Sequence, residues 1–380
     1  MSELAADVAV VGLGAWGSST LWQLARRGVR VLGIERYGRG HSLGASHGGS
    51  RMFRVTCLEH SGLVPLARRS LDLWRQLERE SGQRLLLDCG GLLIGAPDSQ
   101  VVAGTLAAAR QHAIEVAVLG RDELVRRYPQ HAGLAPGDIG VWEPSAKLVR
   151  PEAAVRAALD LAEAAGATVF TDTRVTGIEP DPEGVWLHTP TRSLRVGRVV
   201  VTVGSWLPSL VPVPALRVAR MPVTWFRPLP GALPYALEQF PVFMRQIGEN
   251  TVLWGCGSEG PYDIKLGLEQ FGGTAVALDP DSSDRSVDSA DWNELCGYLP
   301  TFLPGLEAAP SRVAVCMLTL SPDGQFVVGA LPHAPNVIVA GGDNAHGFKH
   351  ATGLGEALAD LAVGASPRVD LSFTDVKRYL

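Results

Sequence analysis

Three glycines near the start of the chain have the spacing of a dinucleotide-binding turn. Gly12, Gly14 and Gly17 stand in the order Gly-x-Gly-x-x-Gly. The first glycine permits a tight turn, the second lets a pyrophosphate approach the backbone, and the third allows a helix to pack closely on a strand. Glu35 follows 23 positions after Gly12, where an acid accepts hydrogen bonds from ribose hydroxyls and repels a 2′-phosphate. The pattern predicts a dinucleotide site that disfavours NADP.

The residues around this turn have the pattern of a strand, a helix and a second strand. An apolar run precedes the glycines, a helical pattern covers 18–27, and a second apolar run over 29–34 ends at the acid. The start of such a helix offers free N–H groups to phosphates, and we expect Ala15 and Trp16 there to contact the cofactor. We expect the same of Arg36, which follows the acid. The pattern fits FAD and NAD alike, and its early position favours FAD.

A second motif has the form of a hydrolase nucleophile turn. Gly44-Ala45-Ser46-His47-Gly48 matches Gly-x-Ser-x-Gly, which in α/β-hydrolases follows directly on a strand. The preceding residues, 37–43, are glycine-rich and polar and indicate a loop. We therefore interpret the match as chance and keep a hydrolase only as a distant alternative.

Two arginines follow this loop in Ser50-Arg51-Met52-Phe53-Arg54. Most arginines are solvent-exposed, and both could simply be surface charges. Alternatively, one contacts the cofactor and the other binds a substrate carboxylate through its planar guanidinium. The sequence leaves both interpretations open.

Composition limits the class of protein. The 380 residues are 46% hydrophobic and 19% charged, which indicates a globular protein of two or three domains. The net charge of −5 gives no reason to expect nucleic acid or an anionic membrane as a partner, and no apolar run of about 20 residues predicts a spanning helix. Five scattered cysteines without a Cys-x-x-Cys pair favour a reducing, cytoplasmic location, and no histidine or cysteine spacing predicts a metal site.

Hydrophobic periodicity predicts the elements that must position these residues. Helical patterns cover 63–80, 101–112, 121–128 and 151–166, and strand patterns cover 169–178, 185–187, 194–196 and 199–203, the last ending at Gly204. The region from about 212 to 310 is rich in proline and tryptophan with alternating apolar positions, and it predicts a mixed sheet. Further strands are expected over 313–319, 326–329 and 337–340, with a helix over 352–363.

The glycine turn, Glu35 and the loop ending in Ser50-Arg51-x-x-Arg54 together resemble the monomeric sarcosine oxidase and N-methyltryptophan oxidase family. These are FAD-dependent amine oxidases of the D-amino-acid-oxidase-like superfamily. Three further positions match in the same order along the chain: Lys265 in Ile264-Lys265-Leu266-Gly267, the pair Cys316-Met317, and Lys349 in His346-Gly347-Phe348-Lys349.

This resemblance implies an α/β fold with a Rossmann-like FAD domain and a substrate domain on a mixed sheet. The FAD domain would combine 1–90, 150–210 and 325–380, and the substrate domain 91–149 and 211–324. It also implies an oxidase of secondary or cyclic amino acids, such as N-methyl amino acids or imino acids. Hydride would pass to flavin N5, the product would be an imine, and O₂ would be reduced to H₂O₂.

The resemblance further assigns roles to individual residues. Arg51 would lie against the flavin, Lys265 would promote its reaction with oxygen, and His346 would be a third catalytic position. Arg54 and Lys349 would bind the substrate carboxylate, and Cys316 would carry FAD as a covalent thioether. Further cofactor contacts are expected from Ser46, Ser50, Val175, Gly204, Met317, Gly347 and Lys349.

Two positions depart from the sarcosine oxidase pattern. Glu269 and Leu318 stand where that enzyme has a histidine and a tyrosine, and Trp254 is a further expected substrate contact. Leu318 removes a hydroxyl group, and Glu269 would favour a substrate with a second cationic or hydrogen-bond-donating group. The departures disfavour sarcosine itself as the substrate.

Simpler interpretations and other functions remain open at this point. Lys265 and Lys349 could face solvent, Cys316 could be an inert buried thiol, and His346 could cap a helix. Rival functions are a flavin dehydrogenase that passes electrons to a partner, an NAD-dependent dehydrogenase, and a non-catalytic flavin-binding subunit. For the oxidase, the expected partners are only an amino acid and O₂, and the resemblance implies a monomer.

Overall fold

The computed structural model describes residues 4–379 apart from 212, 214–215, 261–262, 271–276 and 283–284. Over the described residues the chain forms nineteen strands and eight α-helices. In chain order they are β1 (Ala6–Val11), α1 (Ala15–Ala25), β2 (Val31–Ile34), β3 (Arg51–Phe53), α2 (Leu63–Ser81), β4 (Leu86–Asp88), β5 (Gly91–Gly95), α3 (Gln100–Gln111), β6 (Ala117–Leu119), α4 (Arg121–Arg127), β7 (Ile139–Glu143), β8 (Lys147–Val149), α5 (Pro151–Ala164), β9 (Thr168–Phe170), β10 (Gly177–Asp181), β11 (Gly184–His188), β12 (Ser193–Val201), α6 (Leu207–Leu210), β13 (Arg217–Phe226), β14 (Val242–Gln246), β15 (Thr251–Cys256), β16 (Ile264–Gln270), α7 (Asn293–Phe302), β17 (Arg312–Leu320), β18 (Val327–Leu331), β19 (Ala334–Gly341) and α8 (Ala351–Ala362).

The first sheet is organised around β1, which is parallel to β12 on one side and β2 on the other. The order is β10-β11-β12-β1-β2-β9, and β19 pairs with the end of β12 and with β18. Val8 and Val10 pack towards α1, α5 and α8, whereas Ala9 and Val11 belong to the core on the opposite face. A parallel strand covered on both faces must be apolar throughout, which explains the uninterrupted apolar run.

The second sheet has the order β17-β13-β16-β15-β14-β5-β7-β6 and is mixed, because β14 and β5 are parallel and the other pairs are antiparallel. Strand β16 shows how its two faces differ. Ile264 and Leu266 lie in an apolar core that includes α7, while Lys265 and Glu269 face a cavity. Alternation along a strand thus directs polar side chains towards the cavity and apolar ones away from it.

A small antiparallel sheet, β3-β8-β4, lies beside these two sheets. β3 begins at Arg51, and β8 is followed by α5, whose first residue is Pro151. Proline suits the first helical position because the N–H that it lacks has no partner there. Because β3 pairs with β8, this sheet places the loop before Arg51 near the start of α5.

The structure confirms the predicted α/β class and most elements. The two strands predicted over 194–196 and 199–203 are one strand, β12. The single strand predicted over 169–178 is wrong, because β9 and β10 are separate strands. Between them, Asp172 has a φ of 51°, and a left-handed residue cannot continue a strand. The N–H of Thr173 donates to the carbonyl of Glu35 at 2.9 Å, so this segment crosses the end of β2.

The helix α7 was not predicted, and residue 212, where the mixed sheet was expected to begin, lies outside the described residues. No helix in the described part of the chain is both long and apolar enough to cross a bilayer. The division into two domains remains a proposal, which the membership of the two large sheets supports.

Candidate active site

A cavity of about 380 Å³ lies between the ends of the parallel strands in the first sheet and one face of the second sheet. Concave sites at this edge of parallel sheets are where α/β proteins bind their ligands. Most of the predicted site residues line it: Gly12, Gly14, Ala15, Trp16, Glu35, Arg36, Ser46, Ser50, Arg51, Arg54, Val175, Gly204, Trp254, Lys265, Glu269, Cys316, Leu318, His346, Gly347 and Lys349.

The glycine turn is too tightly packed for side chains. Gly12 has a φ of 87°, and a Cβ atom there would lie 2.7 Å from the carbonyl oxygen of Thr202. A Cβ atom on Gly17 would lie 1.8 Å from the carbonyl oxygen of Gly12. Helix α1 begins at Ala15, and its N-cap residue, Gly14, has no side chain, so the N–H groups of its first turn other than that of Ala15 remain available to an anion. The turn therefore fits a pyrophosphate.

Glu35 and Ser46 complete this end of the cavity. The two Glu35 carboxylate oxygens accept hydrogen bonds from the N–H groups of Leu13 at 2.7 Å and Tyr37 at 3.0 Å. Oε2, the partner of Leu13, keeps a second lone pair that can accept a ribose hydroxyl, whereas Oε1 also lies 3.4 Å from His41 Nε2. Ser46 Oγ accepts from the N–H of Ala15 at 3.0 Å, and no strand precedes it. The hydrolase interpretation is therefore wrong, since Ser46 supports the start of α1.

Arg36 makes contacts that the sequence did not predict. Its guanidinium pairs with Asp281, whose carboxylate also accepts from Arg174 at 2.7 Å and from Trp206 Nε1 at 2.8 Å. Because Arg36, Arg174 and Trp206 line the cavity, Asp281 joins a segment following β16 to the nucleotide end of the site.

At the other end of the cavity, two cations and a thiol lie close together. Lys265, which is 4% exposed, donates to the carbonyls of Gly48 at 3.0 Å and Ser50 at 2.9 Å. Cys316 Sγ lies 3.7 Å from Arg51 Nη2 and 3.3 Å from His47 Nε2. The solvent-facing interpretation of Lys265 is therefore wrong.

The charges in this cluster change its acid–base properties. Burial, reinforced by the nearby Arg51 guanidinium, lowers the pKa of Lys265 to about 7. Burial opposes ionisation of Cys316, but the His47 hydrogen bond and the Arg51 charge outweigh it and lower the pKa of the thiol to about 7. Cys316 therefore combines burial with a lowered pKa. His47 is a site residue that sequence reasoning missed.

Alkylation of Cys316 should depend on this environment. In protein produced under riboflavin limitation, the reaction with iodoacetamide should rise through a pH of about 7, because the thiolate is the nucleophile. Mass spectrometry of the Cys316 peptide measures the rate. His47→Ala should move the midpoint to higher pH, while Cys256, whose pKa burial raises, serves as the internal reference. If Cys316 of the wild-type protein is alkylated with the same pH midpoint as Cys256, the lowered pKa of Cys316 is contradicted.

Arg54 and Lys349 form a second cationic pair, bridged by an acid. Glu59 Oε1 accepts from Arg54 Nη2 at 2.5 Å and from Lys349 Nζ at 2.8 Å. Both cations are buried, at 3% and 4% exposure, which excludes surface roles for them. Burial disfavours the charge on Glu59, but the two cations hold the pKa of its carboxyl well below its ordinary value. Two positive charges facing one carboxylate leave a net attraction for a substrate carboxylate.

Glu143 fixes the segment that carries Arg54. This acid is fully buried and accepts hydrogen bonds from the N–H of Val55 at 2.6 Å and of Thr56 at 3.2 Å. Neither Glu59 nor Glu143 was predicted. Val55 lies 88 positions from Glu143 and Lys349 lies 290 positions from Glu59, so no local pattern in the sequence indicated these contacts.

The loop between β19 and α8 forms the remaining wall. His346 stacks on Phe326 at 4.9 Å, and its Nε2 lies 3.2 Å from the carbonyl of Gly324. Since a carbonyl only accepts, Nε2 carries the proton, and burial lowers the pKa of the ring to about 4. His346 is therefore neutral and does not cap α8, whose N-cap is His350.

Ala345 in this loop has an unfavourable backbone conformation. Its φ is 64°, and a left-handed alanine is strained by its Cβ atom. Ala345→Gly should raise the free energy of unfolding by about 0.5–1 kcal/mol. Urea titration at equal flavin content tests this, and Ala103→Gly, in the interior of α3, should change stability in the opposite direction. If the free energy of unfolding falls equally in both variants, the backbone of Ala345 is not strained.

Two predicted residues do not line the cavity. Gly17 packs against Gly12 and acts through the shape of the turn. Met317 is fully buried, and its sulfur lies 3.9 Å from Arg285. Because neighbours alternate along β17, Cys316 and Leu318 face the cavity and Met317 does not.

A nucleotide turn joined by one cavity to a buried cation and a low-pKa thiol is the arrangement of a dinucleotide-dependent oxidoreductase. Comparison with known proteins supports this class. Residues 7–361 match the family model described as FAD dependent oxidoreductase. The monomeric sarcosine oxidase of Streptomyces avermitilis is 35% identical over 98% of this chain and 97% of its own. The chain therefore belongs to the FAD-dependent oxidoreductase family, which decides between FAD and NAD.

Other relatives are oxidases of amino acids by name. The N-methyl-L-tryptophan oxidase of Citrobacter koseri is 28% identical over 98% of this chain and 99% of its own. Among solved structures, NikD, described as an unusual amino acid oxidase essential for nikkomycin biosynthesis, superposes with a TM-score of 0.86 at 28% identity and covers 98% of both chains.

Proposed function

We propose that the protein is an FAD-dependent oxidase of secondary or cyclic amino acids that forms an imine and H₂O₂. One observation carries the proposal: a single cavity holds the glycine turn, the Lys265–Cys316 cluster and the buried Arg54–Lys349 pair. When bound, FAD accepts the two electrons of the substrate and delivers them to oxygen. The cytoplasmic location and the monomeric state are part of the same proposal.

The residues of this chain would hold and orient both reactants. The turn and the start of α1 bind the pyrophosphate, Glu35 the ribose, and Cys316 tethers the cofactor covalently. Arg54 and Lys349 bind the substrate carboxylate through their remaining N–H groups, which places the α-carbon and its amine in a fixed position. The ammonium group of protonated Lys265, held in place by two backbone carbonyls, provides a positive charge that stabilises superoxide as it forms.

The proposal predicts oxidation of N-methyl or cyclic amino acids with stoichiometric peroxide. Arg54→Met should raise the KM of such a substrate by about 100-fold, because a charged, hydrogen-bonded contact is lost. A peroxidase-coupled assay over a panel of these amino acids measures both. Arg110→Met, an exposed arginine in α3, is the matched control. A panel that neither reduces the bound flavin nor yields peroxide contradicts the function.

A further inference from the structure

We propose that Glu59 and Glu269 form an acidic subsite that selects amino acids carrying a second, positively charged nitrogen. The inference rests on the proposed function and adds a substrate class to it. It follows from the placement of two carboxylates on facing walls of the substrate end of the cavity.

The first wall is β16. Lys265, Gly267 and Glu269 are alternate residues and point to the same face, so the lysine and the acid lie about 13 Å apart along the strand. Trp254 lies between them, because a Cβ atom on Gly267 would be 2.2 Å from its indole ring. The strand thus keeps Lys265, which is proposed to promote the reaction with oxygen, apart from Glu269.

The second wall is the segment after β3. Glu59 Oε1 bridges the two substrate-binding cations, while its Oε2 is buried and has no hydrogen-bond partner within the described residues. The Glu269 carboxylate also receives no hydrogen bond from the part of the chain that the structure describes. Leu58, Met244 and Leu318 line the same cavity. Apolar walls that end at two incompletely satisfied carboxylates suit an aliphatic chain with a terminal ammonium group.

Charge balance supports the same substrate class. Arg54 and Lys349 contribute two positive charges, and Glu59 and a substrate carboxylate contribute two negative ones. An ionised Glu269 would then be a partly buried charge without a counterion, which either uptake of a proton or pairing with a substrate cation would neutralise.

The surroundings of Glu269 indicate the pH range in which its carboxyl group loses its proton. Burial and the Glu59 carboxylate raise the pKa of Glu269 to about 7, against the opposing charges of Arg54 and Lys349. Val252, its partner on β15, is uncharged, and Lys265 is distant on the same strand. Glu269 is therefore mostly protonated at pH 6 and mostly ionised at pH 8, where a substrate cation is favoured.

Two amino acids of nearly equal shape test the subsite in the holoenzyme. The ratio of kcat/KM for Nα-methyl-lysine over Nα-methyl-norleucine should be about tenfold or more at pH 8 and smaller at pH 6. Glu269→Gln should abolish most of the preference, and Glu238→Gln, an exposed acid outside the cavity, should preserve it. A wild-type preference for norleucine, or a ratio unchanged in both Glu269→Gln and Glu59→Gln, overturns the inference.

A second measurement separates this inference from the proposed function. The carboxylates 6-aminohexanoate and hexanoate have no α-amine to oxidise, and their binding can be followed through the visible spectrum of the flavin. At pH 8, 6-aminohexanoate should bind more tightly than hexanoate, and Glu269→Gln should remove this difference in affinity. If no amino acid of the panel is oxidised, the proposed function fails, yet the carboxylate pair still decides the subsite. Equal binding of the pair by the wild-type protein overturns the subsite alone.

Discussion

Replacement of Lys265 by methionine should slow the reaction of the reduced enzyme with oxygen by about 100- to 1,000-fold. The lysine is buried, and two backbone carbonyls hold its ammonium group in place. A pre-oriented charge stabilises superoxide without reorganisation, whereas methionine fills similar space without charge. Anaerobic reduction by substrate followed by rapid mixing with oxygenated buffer measures the recovery of flavin absorbance.

Lys377→Met is the matched control, because Lys377 is exposed and lies outside the cavity. Its oxygen reaction should be that of the wild type. The rate of flavin reduction by substrate should change far less than the oxygen reaction in Lys265→Met. An unchanged oxygen reaction in that variant would favour a dehydrogenase with a separate electron acceptor over the oxidase.

Cys316→Ala should release the flavin from the polypeptide. Acid precipitation of the wild-type protein should give a yellow pellet, and the peptide containing Cys316 should carry the added mass of FAD. The variant should give a white pellet and a yellow supernatant. The physical reason is that Cys316 combines access to the cavity with a lowered pKa, which makes it a nucleophile under ordinary conditions.

Cys296→Ala controls for loss of a thiol elsewhere. Cys296 lies in α7, packs against the apolar core of the second sheet, and has a pKa raised by burial. This variant should keep the covalent flavin. An unmodified Cys316 peptide from a yellow wild-type protein would disprove the tether, while leaving bound FAD in place.

The parts of the site that could be predicted from residues alone are those with local causes. The glycine turn, its strand and its helix occupy a short segment, and each glycine has a steric reason visible in the spacing. The roles of Lys265, Cys316 and Lys349 could not be predicted from local causes. Their burial against another segment is a tertiary property, so a solvent lysine or an inert thiol was equally compatible with their sequence. Only the resemblance to a family favoured the functional interpretation.

The residues that were missed are partners of predicted ones. His47 appeared only inside a misleading hydrolase motif, yet it lies 3.3 Å from Cys316. Glu59 bridges Arg54 and Lys349, which are separated by 295 positions in the chain. Hydrophobic periodicity cannot predict such a contact, because the contact depends on how elements that are distant in sequence pack together. The strand predicted over 169–178 failed for a related reason, since its break is imposed by the end of β2.

The arrangement of the first sheet has a consequence for biosynthesis. β1 and α1 are made first, but β12 must pair with β1, β19 must pair with β12, and α8 packs on α1. During translation, the nascent glycine turn therefore lacks most of its neighbours until residues up to 362 have left the ribosome. Cofactor loading must be a late event, and a stalled chain would have an N-terminal unit with exposed strand edges rather than a flavin-binding module.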